Sequence, residues 1–436
     1  MTDTARSDTV PSGNPQDRRI LVRNLMVMMV WQTGNYLAPL MTFPYLTRVL
    51  GPVNFGVLGY ATAIATYGAL VTEWGFFLSG PRAVVECREN PDALNELIWS
   101  TIGAKACLCA LSCAGLWIVL HADEHIASAR PIVLASWLMV VSNVFTLNWL
   151  LQGLEQFSLF TVVSLAGRFV TLPLTFLFVH REEDVAAAAA IQASAAVVTG
   201  AFSVCAAWRL GVMKRPRTSV CAIRRRICES TELFVSSASV SLFSTTNAVI
   251  LTSLVGSYQA GIYAAADRIK TAANMVPAQI NTVLYPRIAA LLIERRRTAA
   301  KLAAVGAVAT VMTTAGGVAV FSFLSEPFTV LLLGRKFIDS ASVLKILCFA
   351  TLFGNLAYFL GLQVLIPFGA SRMRSLVMLV AGCLNVVLAL ITVPRFGAEG
   401  AAASFLISEI AILAAYLVMI VRKPEIRAHF LQLLHR

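Results

Sequence analysis

Charge is scarce in this chain. Of its 436 residues only 13% are Asp, Glu, Lys or Arg, against about a quarter in an ordinary soluble domain. A soluble globular protein is thereby excluded. Histidine is scarcer still, and all five (His121, His125, His180, His429, His435) fall outside the apolar runs, which leaves no material for an imidazole proton relay inside them. The glycine loop of P-loop ATPases, the HExxH of zinc proteases and the GxSxG of hydrolases are missing. An ATP-driven pump or an enzyme has no support, and no cofactor is implied. Nine cysteines are scattered, and Cys107, Cys109 and Cys113 share an apolar stretch without His or carboxylate neighbours. They read as small buried hydrophobes rather than metal ligands. The short alternating segments of an outer-membrane barrel are also absent.

What the chain does have is apolar length. A hydrocarbon core about 30 Å thick takes roughly 20 apolar residues per helix, and the charges retreat into clusters at that spacing. Six spans read as Leu25 to Phe43, Phe55 to Leu78, Leu97 to Leu120, Ile132 to Leu151, Leu159 to Val179 and Val185 to Trp208. Six more read as Leu233 to Val255, Ala260 to Leu284, Leu302 to Leu324, Val343 to Pro367, Leu376 to Val393 and Gly400 to Val421. The expected fold is an all-α polytopic membrane protein of about twelve transmembrane helices. Residues 1–24, rich in Ser, Thr, Asp, Pro and Asn, carry no apolar core followed by a small-residue cleavage site. They read as a disordered cytoplasmic tail, ahead of a first span retained as an anchor. Residues 209–232 read as a basic cytoplasmic linker, and 422–436 as a cytoplasmic tail.

Lys and Arg in short loops beside a span resist translocation. With both termini inside, 24 of the 35 fall on the inner side and seven on the outer side. Both termini are therefore expected in the cytoplasm. The net charge of +12 then meets anionic lipid headgroups and calls for no nucleic-acid partner.

The linker divides the spans six and six, and the halves share punctuation. A shift of 205 residues places Gly51 on Gly256, Gly56 on Gly261, Ile64 on Ile269, Pro81 on Pro286 and Arg82 on Arg287. Each half holds an even number of spans, so the repeat is parallel. Two six-helix lobes, 25–208 and 233–421, should face each other about a pseudo-two-fold axis along the membrane normal, with a midplane site between them. The same shift puts Asp267, Arg268 and Lys270 inside the eighth span rather than in a loop.

Ionisable groups inside spans are expensive and usually face a wet cavity. They are Glu73, Lys105, Arg168, Asp267, Arg268, Lys270 and Glu409. Arg168, Arg268, Lys270 and Lys105 are candidate lumenal cations for an anionic ligand such as a phosphate, which suits the guanidinium fork. Asp267, Glu409 and Glu73 are candidate coupling carboxylates. Each group has a plainer role: Glu73 and Lys105 could snorkel to the inner face, Asp267 and Lys270 could neutralise each other one turn apart, and Arg168 and Glu409 could form structural ion pairs. In the first span Asn35, Pro39 and Pro44 are candidate hinge or gate residues, because a proline removes a helical hydrogen bond.

Several stretches together resemble the polysaccharide transporter family, the Wzx-type O-antigen and exopolysaccharide repeat-unit flippases. That family belongs to the multidrug, oligosaccharidyl-lipid and polysaccharide exporter superfamily. They are Pro44-Tyr45-Leu46-Thr47-Arg48-Val49-Leu50-Gly51 leading to Phe55-Gly56, and Trp149-Leu150-Leu151-Gln152-Gly153-Leu154-Glu155. Ala260-Gly261-Ile262-Tyr263, Ala266-Asp267-Arg268-Ile269, Tyr285-Pro286-Arg287 and Gln363-Val364-Leu365-Ile366-Pro367-Phe368-Gly369 follow in order. The resemblance implies a bacterial inner-membrane exporter that flips an undecaprenyl-pyrophosphate-linked oligosaccharide by alternating access, coupled to an ion or proton gradient. It implies the lipid-linked substrate, membrane lipids, a polysaccharide polymerase and export machinery as partners. A gradient-driven drug exporter of the same superfamily is the alternative, expected to show an apolar, aromatic lumen with an isolated carboxylate.

Overall fold

In the computed structural model the described residues are 15–122, 129–294 and 296–422. Every regular element among them is helical. Helix α1 (Pro15–Glu73) reverses at Gly51 (φ 69°, ψ 174°) and so crosses twice. Then come α2 (Phe76–Cys87), α3 (Pro91–Ala122), the broken span α4 (Arg130–Asn143) and α5 (Asn148–Gly153), α6 (Phe157–Phe178) and α7 (Val185–Arg209). The second half holds α8 (Val220–Val255), the broken span α9 (Ser257–Ala273) and α10 (Met275–Glu294), then α11 (Arg296–Leu333) and α12 (Ser340–Leu360). Last comes α13 (Ser371–Arg422), which reverses at Gly397 (φ 54°, ψ −131°) and also crosses twice. The protein is a polytopic all-α membrane protein of twelve crossings in two six-span lobes. Large apolar side chains such as Phe323, Leu331, Trp208 and Leu177 point outward, as lipid-facing residues do.

Several helices run past the ends of the apolar spans, as α10 does to Glu294 and α11 to Leu333, and three further boundaries differ from the sequence reading. Helix α1 begins at Pro15, so only residues 1–14 of the expected tail lie outside the described residues; so do 423–436. Most of the expected linker is helical, because the Ser219 hydroxyl caps α8 by accepting the Ala222 N–H. Arg225 and Arg226 in that stretch pair with Glu229 one turn on, so α8 extends beyond its apolar part and leaves 210–219 as connector. The second span ends at Glu73, where Trp74 (φ 43°) and Gly75 (φ 80°) turn the chain in the left-handed region.

The repeat is visible in the backbone. Gly256 breaks the chain between α8 and α9 (φ 92°, ψ 171°) with nearly the dihedrals of Gly51. A positive φ of this size suits glycine, which has no Cβ to clash. Five residues on, Gly56 and Gly261 meet each other across the lobes. A Cβ on Gly56 would lie 1.9 Å from the Ser257 carbonyl oxygen, and one on Gly261 1.9 Å from that of Pro52. Pro52 and Ser257 are themselves related by the 205-residue shift. The two helices thus cross with backbone against backbone, and the pseudo-two-fold axis runs between the two glycines.

Around that crossing the lobes are further tied at what we term the glycine end. Lys336 pairs with Glu182, Arg48 donates to the Leu331 carbonyl, and Asn54 donates to the Glu182 carbonyl at 2.8 Å. Toward the connector end, the seam between α1 and α8 is held by Tyr67 against Thr246 and by Trp74 stacked on Phe234, with centroids 3.8 Å apart.

Candidate functional site: a cavity between the lobes

A cavity of about 390 Å³ lies between the lobes. Both limbs of α1 line it, with α4, α6 and α7 on the N-terminal side and α9 on the C-terminal side. Arg168 on α6 and Arg268 on α9 face it from opposite lobes. They are close enough to repel one another, and neither has an ion-pair partner among the described residues. Two unneutralised guanidiniums in a partly desolvated space interact unfavourably until an anion sits between them. The rest of the wall is mostly apolar, with Phe43, Leu46, Phe55 and Met139, and uncharged polar groups are set into it, among them Thr62, Ser136, Thr171, Gln192 and Thr271. These give no signal in the sequence, because single Ser, Thr and Gln residues are tolerated anywhere in a span.

Asn35 and Pro39 line the cavity, and Pro44 lies off it. Pro39 has no N–H to give, which frees the Asn35 carbonyl, while the Thr42 hydroxyl donates to the Pro39 carbonyl at 3.2 Å. The helix runs through both prolines without a break.

The other ionisable residues sit inside the lobes. Lys105 is fully buried and lies away from the cavity, as does Glu73. Its ammonium donates to Glu73 at 2.7 Å and to the carbonyls of Asn143 and Thr146 at 3.3 and 3.2 Å. Those carbonyls are freed where the α4–α5 span breaks, so the lysine caps a helix end. It neither faces a lumen nor snorkels to water.

Within the C-terminal lobe, Lys270 pairs with Asp267 one turn away and lies 4.3 Å from the Phe405 ring centroid. Glu409 packs against the bare backbone of Gly354, where a Cβ would be 2.7 Å from its carboxyl carbon, and it lies within the field of Lys270. Neighbouring amides bracket the α9–α10 break, with Asn355 donating to Asn274 at 3.0 Å. The seven intramembrane charges therefore divide among three places: a bare arginine pair in the cavity, a saturated lysine–glutamate pair in one lobe, and a mixed cluster in the other.

Two lobes of six crossings around a cavity that holds one arginine from each lobe define a membrane transporter rather than an enzyme. Residues 21–292, more than half of the chain, match the family described as Polysaccharide biosynthesis protein, and the chain belongs to that family. A relative from Escherichia coli (strain K12), named "Putative O-antigen transporter", is 28% identical over 93% of this chain and 98% of its own length. Among solved structures, an inward-facing multidrug resistance MATE family transporter of the MOP superfamily aligns with a TM-score of 0.68 at 15% identity, over 90% of this chain and 95% of that one. The lipid II flippase MurJ in an inward closed conformation aligns at 0.66 and 13% identity, over 94% and 90%. At these identities the likeness is one of fold.

Proposed function

We propose that the protein is a flippase. In this reading it moves an undecaprenyl-pyrophosphate-linked oligosaccharide repeat unit from the cytoplasmic to the outer leaflet of a bacterial inner membrane. The observation that carries this is the Arg168–Arg268 pair, one guanidinium from each lobe, unneutralised and facing a single cavity. A diphosphate offers charge and oxygens to both forks at once, and bridging the lobes couples its binding to their relative position. The wall shares the apolar and aromatic character of a drug lumen, but among its described residues it carries two arginines and no carboxylate. The sugar would occupy the cavity while the lipid tail stays in the bilayer. A polysaccharide polymerase and export machinery are the partners such a product needs.

With both termini in the cytoplasm, as the Lys and Arg distribution favours, the glycine end faces the periplasm. The Gly56–Gly261 crossing and the Glu182–Lys336 pair then close the cavity to that side, and alternating access requires them to part. The region from Asn35 to Pro44 would bend as the cavity changes sides. Coupling to a proton gradient falls to Glu409 or Asp267; Glu73 is held by Lys105 and suits that role less.

The test is export of polysaccharide by cells lacking the wild-type protein and expressing Arg168→Ala, Arg268→Ala or both at low level. Each single variant should lower export by about tenfold or more, the worth of a charge-assisted hydrogen bond of about 1.5–3 kcal/mol. Wild-type export by the double variant, at normal protein levels, would sink this reading and reopen the drug-exporter alternative.

A further inference from the structure

The cavity does not account for a second polar column, buried inside the C-terminal lobe. On α12 and the π-helical turn that continues it (Gly361–Leu365), two glycines stand seven residues apart, Gly354 and Gly361. On the second limb of α13 two polar residues stand at the same spacing, Glu409 and Tyr416. Each glycine receives the partner at its own level. Gly354 lies against the Glu409 carboxyl, and at Gly361 a Cβ would be 3.1 Å from the Tyr416 ring and 3.0 Å from Nε of Arg374. Tyr416 is only 2% exposed. The Arg374 guanidinium is within hydrogen-bonding reach of the Tyr416 hydroxyl, while its Nε is buried without a partner.

A half-buried arginine whose Nε is buried and unpaired, a buried phenol and a carboxyl packed on Gly354 thus line one face of α12 and its π-turn. Side chains on a helix lean toward its N-terminus, so Tyr416 leans toward Glu409. A π-turn widens the backbone at the level where the arginine enters, and such turns concentrate at functional sites. Lys270 from α9 and Tyr416 from the second limb of α13 act on Glu409 directly. Behind them, Asp267 pairs with the lysine, Arg374 lies beside the tyrosine, and the buried Cys348 thiol of α12 lies in the field of Lys270.

We propose that Arg374, Tyr416 and Glu409 form a proton path, usable in either direction, that connects the connector-end face to Glu409 through the interior of the C-terminal lobe, separate from the substrate cavity. With that face cytoplasmic, an inward gradient empties Glu409 through it. A proton arriving by water beside Arg374 is taken by the Tyr416 oxygen as the hydroxyl hydrogen passes toward the Glu409 carboxylate, directly or through one water. The tyrosine ends unchanged, and the net step is protonation of Glu409. Arg374 orients the phenol by donating to its oxygen, acting as a positioning residue. This rests on the reading that Glu409 loads the coupling proton, and the experiment below separates the two.

Full-length protein in liposomes, with the pH set independently on each side and orientation fixed by protease accessibility of residues 210–219, is treated with dicyclohexylcarbodiimide. The reagent adds to a protonated carboxylic acid without a leaving group, giving an N-acylurea that peptide mass spectrometry locates at Glu409. Labelling should rise as the pH falls on the connector side and ignore the opposite side. Tyr416→Phe and Arg374→Gln should slow the response to a connector-side pH jump by about a hundredfold, the lower end for removing a positioned proton-transfer group. Arg374→Lys, which keeps the cation, should restore most of it. Labelling that follows the opposite compartment, or Tyr416→Phe responding as wild type, would overturn the path even if transport proves gradient-driven. Connector-side labelling with the expected variant effects supports the path even if transport ignores the gradient, in which case only the coupling reading falls.

Discussion

The two lobes descend from one repeat and bury their charges in opposite ways. In the N-terminal lobe one cation meets one carboxylate, and Lys105 spends its remaining donors on two helix-end carbonyls. Each charge of that pair has its partner. In the C-terminal lobe Lys270 is shared between Asp267, which it touches, and Glu409, which feels its field. Two carboxyls there depend on one lysine. Saturation makes the first cluster a structural bracket, and the surplus makes the second a device that can change state.

That contrast can be broken in graded steps. The largest effect is expected for Lys105→Met, which strands Glu73 and two carbonyls and should lower stability by about 3–5 kcal/mol. Thermal unfolding in detergent would measure it, and the double variant with Glu73→Gln should recover most of the loss. If the double variant unfolds as early as the single one, the bracket is not an ion pair in energetic terms. Lys270→Met should be milder, about 1–2 kcal/mol, since the Asp267 side chain is about a third exposed and regains water. Equal losses at Lys105 and Lys270 would erase the distinction between the lobes.

Glu409→Gln should change stability by less than about 1 kcal/mol, because the amide keeps the shape of a protonated carboxyl. It should nevertheless remove the dependence of transport on a pH gradient in proteoliposomes. Retained dependence would move the coupling proton to Asp267.

The smallest effect belongs to the exposed turn between the fifth and sixth spans, which presents Glu182 to the other lobe. There the Asp184 carboxylate accepts the backbone N–H groups of His180 and Arg181, each at 2.9 Å. These bonds hold its pKa below the ordinary carboxylate value. The ordering it provides is therefore present above about pH 4 and lost as the pH falls through the lower folded value. Proteolysis of the turn should quicken in wild type as the pH falls below about 4, and Asp184→Asn should be flat across the same range. A flat wild-type profile would remove the carboxylate from the account.

Much of the fold was legible in sequence because membrane insertion is a coarse, one-dimensional problem of apolar length and cation placement. The twelve spans, the parallel repeat and the glycine break at residue 256 could all be read from spacing. The start of α8 was misplaced because charged residues pair along the helix outside the membrane, as Arg225 and Arg226 do with Glu229, and the end of the second span because Trp74 and Gly75 turn the chain there. The sites were legible only as a set of charged residues in spans. Which of them share a space depends on helix rotation, which Leu- and Ala-rich spans do not encode in their hydropathy. Arg268 and Lys270 are two residues apart on one helix, yet one faces the cavity and the other the interior of its lobe. Lys105 and Glu73 are 32 residues apart and meet. The tyrosine column had one usable signal, the Gly354 and Gly361 spacing matched by Glu409 and Tyr416, but matching two helices requires knowing that they are neighbours.

The meeting of Gly56 with Gly261 says something about ancestry. A six-span unit pairing with its own copy about a two-fold axis forms an isologous contact, in which a residue on the axis touches itself. In such a homodimer this would have been one codon, and any side chain there would have collided with its duplicate. In a single chain the same steric demand falls on two separate positions, 56 and 261, and each is answerable to the backbone that faces it: a Cβ at either would sit 1.9 Å from a carbonyl oxygen of the other lobe.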